Sequence, residues 1–384
     1  MNNLMFAAAN SLEEMNVEFP NLFGGTEMSY RRGFNLFGSN GITIYWYGVL
    51  IAVGVVLAYI YVMRRVTRDF GLVKDRVFDV VFVTIIGAFI CARIYYCVFT
   101  NLNPETPQDQ KYTFVTMFTK MRDGGIAMYG GTIGAVLIGL LMCRLRKVKF
   151  LALADAASLG FLIGQTIGRW GNFINQEAYG AACDSNWLFA MSGNRIRAEM
   201  PAGVFVHPCF LYESVWCLLG FVFLHIYSKK LRTFDGEIAL LYLSWYGFGR
   251  FFIEQLRTDS LYLGTLRVSQ WVGAVSFVAA MVCFVICKIR TANSKKPLYV
   301  NTDASRELIE SDLKAEEERR AKKAKKEKKA DSILADDPDS GSESGGEENE
   351  DVDEADIQGD PDNTEDNEDS DNKDKESEDG SEDN

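Results

Sequence analysis

Histidine is almost absent from this chain. Only His207 and His225 occur in 384 residues, so a zinc site built on imidazole ligands is not expected. The eight cysteines (Cys91, Cys97, Cys143, Cys183, Cys209, Cys217, Cys283 and Cys287) include no C-x-x-C pair answered by a second pair downstream. That spacing excludes the usual metal clusters and gives no sign of a disulfide framework. Most of the cysteines sit in apolar runs, where a free thiol packs as a small hydrophobe. Residues 1–40 lack a basic stretch followed by a short apolar core, so no cleavable signal peptide is read there. No inverted repeat relates one half of the chain to the other, which argues against the commonest transporter architectures.

What is present divides into two parts. Hydrophobic residues make up 48% of the chain, yet the mean hydropathy is only -0.04. Residues 331–384 hold 25 acidic side chains against two lysines, a charge of -23; with -12 for the whole chain, residues 1–330 carry +11. The pI of about 4.9 therefore describes an acidic tail on a basic, apolar body.

That body contains seven apolar runs: Ile44 to Met63, then about 78–99, 124–143, 151–167, 209–227, 238–256 and 270–288. Crossing a hydrocarbon core about 30 Å thick takes roughly 20 helical residues. Most runs meet that length, and the fourth is the short one. Dense basic clusters occupy alternate loops: Arg64, Arg65, Arg68, Lys74 and Arg76; then Arg144, Arg146, Lys147 and Lys149; then Lys229, Lys230 and Arg232; and finally Lys288, Arg290, Lys295 and Lys296. The positive-inside rule then predicts an all-α membrane protein of seven transmembrane helices, N-terminus outside and C-terminus cytoplasmic.

The short run leads into Gly168-Arg169-Trp170-Gly171-Asn172-Phe173-Ile174-Asn175-Gln176-Glu177-Ala178-Tyr179-Gly180. Gly160, Gly164 and Gly168 recur every four residues before it, a spacing that lets another helix backbone approach closely in lipid. An arginine, two asparagines and a glutamate then arrive within nine residues. Charge at membrane depth is costly and usually functional, and arginine is the side chain shaped to grip a phosphate by two parallel hydrogen bonds. Other polar residues gather at the same predicted outer level. Tyr246, Arg250 and Glu254 follow one helical face at i, i+4 and i+8, with Arg257 in pairing reach of Glu254. Tyr45, Trp46, Tyr47 and Gly48 lie near the outer end of the first span, Asp123 to Gly131 opens the third, and His207 to Glu213 opens the fifth. Blander roles stay open: interface-belt aromatics, a Glu254 that only pairs Arg250 or Arg257, an Arg93 paired structurally or snorkelling, and glycine pairs that serve helix packing or ligand approach. Asp79 and Asp155, at inner helix starts, suit the helix dipole and are given no chemistry.

The 168–180 motif closely resembles the signature of bacterial prolipoprotein diacylglyceryl transferases. The likeness continues through Trp46-Tyr47-Gly48, Gly87-Ala88 with Arg93, Asp123-Gly124-Gly125, Gly130-Gly131, His207-Pro208 with Leu211-Tyr212-Glu213, and Tyr246-Gly247 with Arg250-Phe251 and Glu254, over roughly residues 40–290. It implies a seven-helix fold in the bacterial inner (plasma) membrane. The implied reaction moves the diacylglyceryl group of phosphatidylglycerol to the thiol of a lipobox cysteine in a prolipoprotein signal peptide, releasing glycerol phosphate. The resemblance makes Arg169 the phosphate-binding residue and Arg250 a second essential arginine. It also marks Asn172, Glu177, Gly180, Tyr47 and Tyr246 as phosphatidylglycerol-binding positions. The expected partners are phosphatidylglycerol, lipobox signal peptides and membrane lipids, with no nucleic acid, metal or cofactor.

The chain departs from the family at Tyr129, where many members have histidine as the candidate general base. A tyrosine with pKa near 10 is a poor base at pH 7, so Tyr129 either donates a hydrogen bond or proton removal falls elsewhere. The expected divisions are an extracytoplasmic segment 1–40, a seven-helix transferase domain 41–290, a charged cytoplasmic segment 291–330, and a disordered acidic tail 331–384. A transporter or channel is the rival class, but its polar groups would be spread through the membrane depth instead of gathering at one level. A seven-helix receptor would share only span count and orientation.

Overall fold

The computed structural model describes residues 14–335 apart from 37–41, 105, 109–110, 121–124, 259–261, 264–265 and 295. Most of the expected 1–40 segment's start, Asp123-Gly124 and the acidic tail past 335 lie outside the described residues. The chain divides after Lys322, and the second unit is described only through the end of its helix at Ala335.

Every expected apolar run becomes a helix. In chain order the helices are α1 (Trp46–Phe70), α2 (Lys74–Leu102), the short α3 (Phe114–Thr119), α4 (Met128–Leu145), α5 (Phe150–Asn175), the short α6 (Asn194–Glu199), α7 (Cys209–Lys230), α8 (Glu237–Glu254), α9 (Val268–Ser294) and α10 (Asp303–Ala335). Strands are short and confined to the connections: β1 (Glu14–Glu18), β2 (Met28–Arg31), β3 (Gly33–Leu36), β4 (Ile42–Tyr45), β5 (Ala182–Cys183), β6 (Ser192–Gly193), β7 (Phe205–Val206), β8 (Tyr262–Leu263) and β9 (Leu266–Arg267).

Among the described residues six helices are long and apolar enough to cross a membrane: α1, α2, α4, α5, α7 and the helix that opens at Val268. The remaining expected span, α8, is 18 residues and about 27 Å long. Its Glu237, Arg250 and Glu254 set it apart from the apolar six. It packs against α5, α7 and α9. Large apolar side chains line the outsides of these helices, Leu137 and Val275 each being 62% exposed. Lipid is as apolar as leucine and covers such a face at no cost, so the chain is a multi-pass membrane protein.

The motif helix departs most from expectation. The apolar run ends near Ile167, but α5 continues through Arg169 and Asn172 to Asn175. Gln176 then turns it off in the left-handed region, at φ 49°, and the Glu177 amide returns a 3.0 Å hydrogen bond to the Asn172 carbonyl. At 26 residues α5 is about 39 Å long, more than the roughly 30 Å that a hydrocarbon core requires. The glycine row is only partly a packing surface. Gly160 meets α1, and a Cβ on Gly54 of α1 would lie 3.4 Å from the Gly164 Cα, but a Cβ on Gly164 itself or on Gly168 would meet open space.

A small layer covers the C-terminal end of α5. β1 pairs antiparallel with β2 on one side and β6 on the other, from Val17 opposite Gly193. Val17 of β1 and the following Phe19 pack with Tyr179, Met191, Ile196, Val206 and Phe210. Phe173 of α5 is held between Tyr30 and Phe210, with ring centroids 5.9 and 4.8 Å away. Burial pushes the Tyr30 phenol above its ordinary pKa. It therefore stays protonated and donates to the Phe173 and Ile174 carbonyls, at 3.2 and 3.1 Å.

Candidate active site

α5, α7, α8 and the turn that follows α8 bring three arginines onto two buried glutamates. Glu213 lies in the second turn of α7 and is 5% exposed. Its Oε1 accepts from Nη1 of Arg250 at 2.9 Å and of Arg257 at 3.5 Å, while its Oε2 pairs with Nη2 of Arg169. Glu254 places Oε2 2.7 Å from Arg250 Nη2 and 4.0 Å from Arg257 Nε. The i, i+4 spacing read from the sequence thus yields a real ion pair, and Glu254 is shared by both arginines. Three cations against two carboxylates leave one net positive charge. Burying it is tolerable because each charge faces an opposite one. Among the described residues Glu213 is the one ion-pair partner of Arg169, approached through Nη2, and the Arg169 side chain is 21% exposed. No hydrogen bond from its Nε or Nη1 reaches another described residue.

The other expected residues fall in three places. Tyr246 joins the cluster directly: it lines a small recess with Glu213, Cys217 and Arg250, and its ring stacks on Tyr242 at 6.1 Å. Tyr47, Asn172 and Glu177 form a second group along the end of α5. Asn172 Nδ2 donates to Glu177 Oε1 at 2.9 Å. The Tyr47 ring lies over Gly171, where a Cβ would come within 2.2 Å of it, so only glycine fits. The Tyr47 hydroxyl lies within electrostatic reach of both Glu177 and Arg169. Gly180 holds backbone. Its amide donates to the His207 carbonyl at 2.8 Å, it bridges Arg257, and a Cβ would fall 2.7 Å from that of His207. Burial keeps His207 below its ordinary pKa and so neutral at pH 7.

Tyr129 stands apart from these groups. It is half exposed in the first turn of α4, and no hydrogen bond or ion pair joins it to the cluster among the described residues. Its neighbour Gly130 serves packing against α2, since a Cβ there would lie 2.3 Å from that of Tyr95. Arg93 has a structural role. It is 1% exposed and donates to the carbonyls of Met117, Lys120 and Gly125 at 2.8–2.9 Å, which pins the connection between α2 and α4. Sequence reasoning placed Glu213 and Arg257 near the site without giving them a part in it. The signal was available in Glu213, a carboxylate one and a half turns inside an apolar run, where an unpaired charge would be untenable.

A family model for prolipoprotein diacylglyceryl transferase matches residues 35–286, which contain every residue of the cluster. The chain is 41% identical over 241 residues to a phosphatidylglycerol–prolipoprotein diacylglyceryl transferase of Ligilactobacillus salivarius (strain UCC118), covering 62% of this chain and 87% of the relative. It is 37% identical over 264 residues to the protein of the same name from Clostridioides difficile (strain 630), covering 69% and 98%. With the signature helix, the charged cluster and the match through all the apolar helices in agreement, the chain belongs to the prolipoprotein diacylglyceryl transferase family.

Proposed function

We propose that this protein transfers the diacylglyceryl group of phosphatidylglycerol to the thiol of a prolipoprotein's lipobox cysteine, the first step of lipoprotein maturation. The observation that carries this is the pairing of Arg169 and Arg250 on one buried carboxylate, with guanidinium donors of Arg169 left over. An anionic phosphate arriving there meets a net positive charge and donors already oriented. In the reaction the cysteine sulfur attacks the diacylglyceryl carbon and a sulfur–carbon bond forms. The bond from that carbon to the phosphate oxygen breaks, and its electron pair leaves with glycerol phosphate. Arg169 and Arg250 hold the phosphate while charge grows on the leaving oxygen. The same cations favour the thiolate form of the attacking cysteine. Because the nucleophile belongs to the substrate, the enzyme needs none of its own. Tyr246 and Tyr47 flank the headgroup, Asn172 and Glu177 orient it, and Gly180 shapes the backbone beside Arg257. The open space beside Gly168 suits an acyl chain. Tyr129 contributes a hydrogen bond from α4.

The seven-span arrangement in the bacterial inner membrane completes the reading. α8 is the seventh span, the C-terminal end of α5 faces outward, and residues after 290 are cytoplasmic, ending in an acidic tail. Support comes from the alternation of basic loops and from the three helices needed to bury Glu213 and Glu254.

Incubation of the purified protein with phosphatidylglycerol and a lipobox peptide is the decisive experiment. The expected products are a thioether-linked lipopeptide and free glycerol phosphate; a folded protein that forms neither refutes the proposal. Orientation is tested with Lys147→Cys and Ser185→Cys, both exposed positions, in a background without other reactive thiols. An impermeant reagent on whole cells should label position 185 and spare 147, and the opposite result overturns the topology.

A further inference from the structure

Asp155 is wholly buried at the start of α5, far from the charged cluster. Its carboxylate does not serve its own helix. Oδ2 accepts from the Gly236 amide at 2.9 Å and Oδ1 from the Ala239 amide at 3.0 Å. These are orphan donors at the start of α8, the neighbouring helix. Arg232 stands 3.8 Å away and balances the charge. Gly236 turns into α8 at φ 95°, a conformation other residues resist.

α5 and α8 run side by side in the same direction. They are tied at their starts by Asp155, at mid-length by Gln165 Nε2 donating to the Tyr242 hydroxyl at 2.9 Å, and at their far ends through Glu213. Arg169 stands fourteen residues beyond Asp155, and Arg250 fourteen beyond Gly236. Both distances are about 21 Å of helix. From that anchor both helices run on to the same carboxylate, Glu213, where the two guanidiniums meet.

We propose that Asp155 is a positioning residue: it fixes the axial register of α8 on α5 and so brings Arg250 level with Arg169 on Glu213. The proposal rests on reading those arginines as the phosphate-binding pair. Apolar helix faces in lipid specify register weakly, because slipping one past another exchanges one apolar contact for the next. A carboxylate bonded to two amides of the facing helix does specify it. A misplacement of about 1 Å at a reacting centre can cost about 100-fold in rate.

The test uses the full chain in bilayers containing phosphatidylglycerol. Asp155→Leu removes both acceptors, and Asp155→Asn keeps an acceptor oxygen. Spin labels carried on genetically encoded residues replace Phe161 of α5 and Leu243 of α8, both lipid-facing, and report register without reference to activity. The leucine variant should broaden the label-to-label distance and raise KM for phosphatidylglycerol at least tenfold, more than it lowers kcat. The asparagine variant keeps one of the two acceptors and turns an NH2 toward the other amide, so it should fall between the leucine variant and the parent in both readouts. If Asp155→Leu fails to insert, Asp155→Ser replaces it, since one short hydroxyl cannot reach two amides, and the same two shifts are expected. Unchanged kinetics in the leucine or serine variant overturn the proposal. So does lost activity with an unchanged distance, which means that Asp155 acts otherwise. If register and activity both move while Arg169→Ala leaves transfer intact, the phosphate reading fails and the register pin stands.

Discussion

Glu213→Gln changes one charge and almost nothing in shape. In the folded protein the Glu213 carboxylate faces Arg169, Arg250 and Arg257 and is 5% exposed. Substituting glutamine leaves three guanidiniums with only Glu254, so the net charge of the cluster rises from one to two. Removing one partner of a buried ion pair costs about 3–5 kcal/mol, because the remaining charge is left without compensation. The same excess charge should strengthen the attraction for an anionic headgroup. A ligand present at 100 times its dissociation constant returns about 2.7 kcal/mol to the folded state. Unfolding is therefore measured in bilayer discs of zwitterionic lipid and again with phosphatidylglycerol added. The glutamine variant should be markedly less stable than the parent in the first, and the gap should narrow in the second. Equal stability in zwitterionic lipid would refute the idea that Glu213 neutralises the arginines. An equal gap in both lipids would refute anion binding at the cluster.

Arg169→Lys keeps the charge but loses the planar fork, so transfer should fall about 100- to 1,000-fold with the protein still folded; an initial-rate assay returning the parental value counts against the phosphate role. Tyr129→Phe removes the one hydrogen bond that the proposed function gives this residue, worth about 0.5–1.5 kcal/mol, and should slow transfer about two- to twelvefold. Rates across pH decide this, and abolished turnover would reinstate a proton-transfer role. The start of α10 is tied to the basic end of the bundle: Asp312 takes two hydrogen bonds from Arg76 at 2.7 and 2.6 Å, the Ser305 hydroxyl donates to the Gly71 carbonyl at 2.7 Å, and the Tyr299 amide donates to Asp235 at 3.0 Å. Truncation after Pro297 should therefore lower stability by about 2 kcal/mol in an unfolding experiment, while truncation after Lys322 should leave it unchanged.

The amino-acid sequence by itself determined the membrane class, because an apolar run long enough to cross a bilayer is a local property of composition. It also singled out the charges that needed explaining. Arginines and glutamates inside apolar runs must find partners or substrates, and the signature around Arg169 is continuous in the chain. The bond between Glu254 and Arg250 was legible for the same reason, since four residues apart on a helix means side by side. Local pattern could not show that α5 runs on through Arg169 to Asn175, because polar residues there look like a helix end until Glu213 and Glu177 are seen to receive them. Nor could it show that Arg93 spends its guanidinium on three carbonyls, or that Tyr129 stands apart from the arginines. The role of Asp155 was hidden most completely. An acid near a helix start reads as a partner for its own dipole, and only the packing of α5 beside α8 turned it toward a different helix. Contacts between side chains far apart in sequence depend on how helices cross and how deep each one sits. Those quantities are set by the fit of whole faces, and tertiary structure alone decided them.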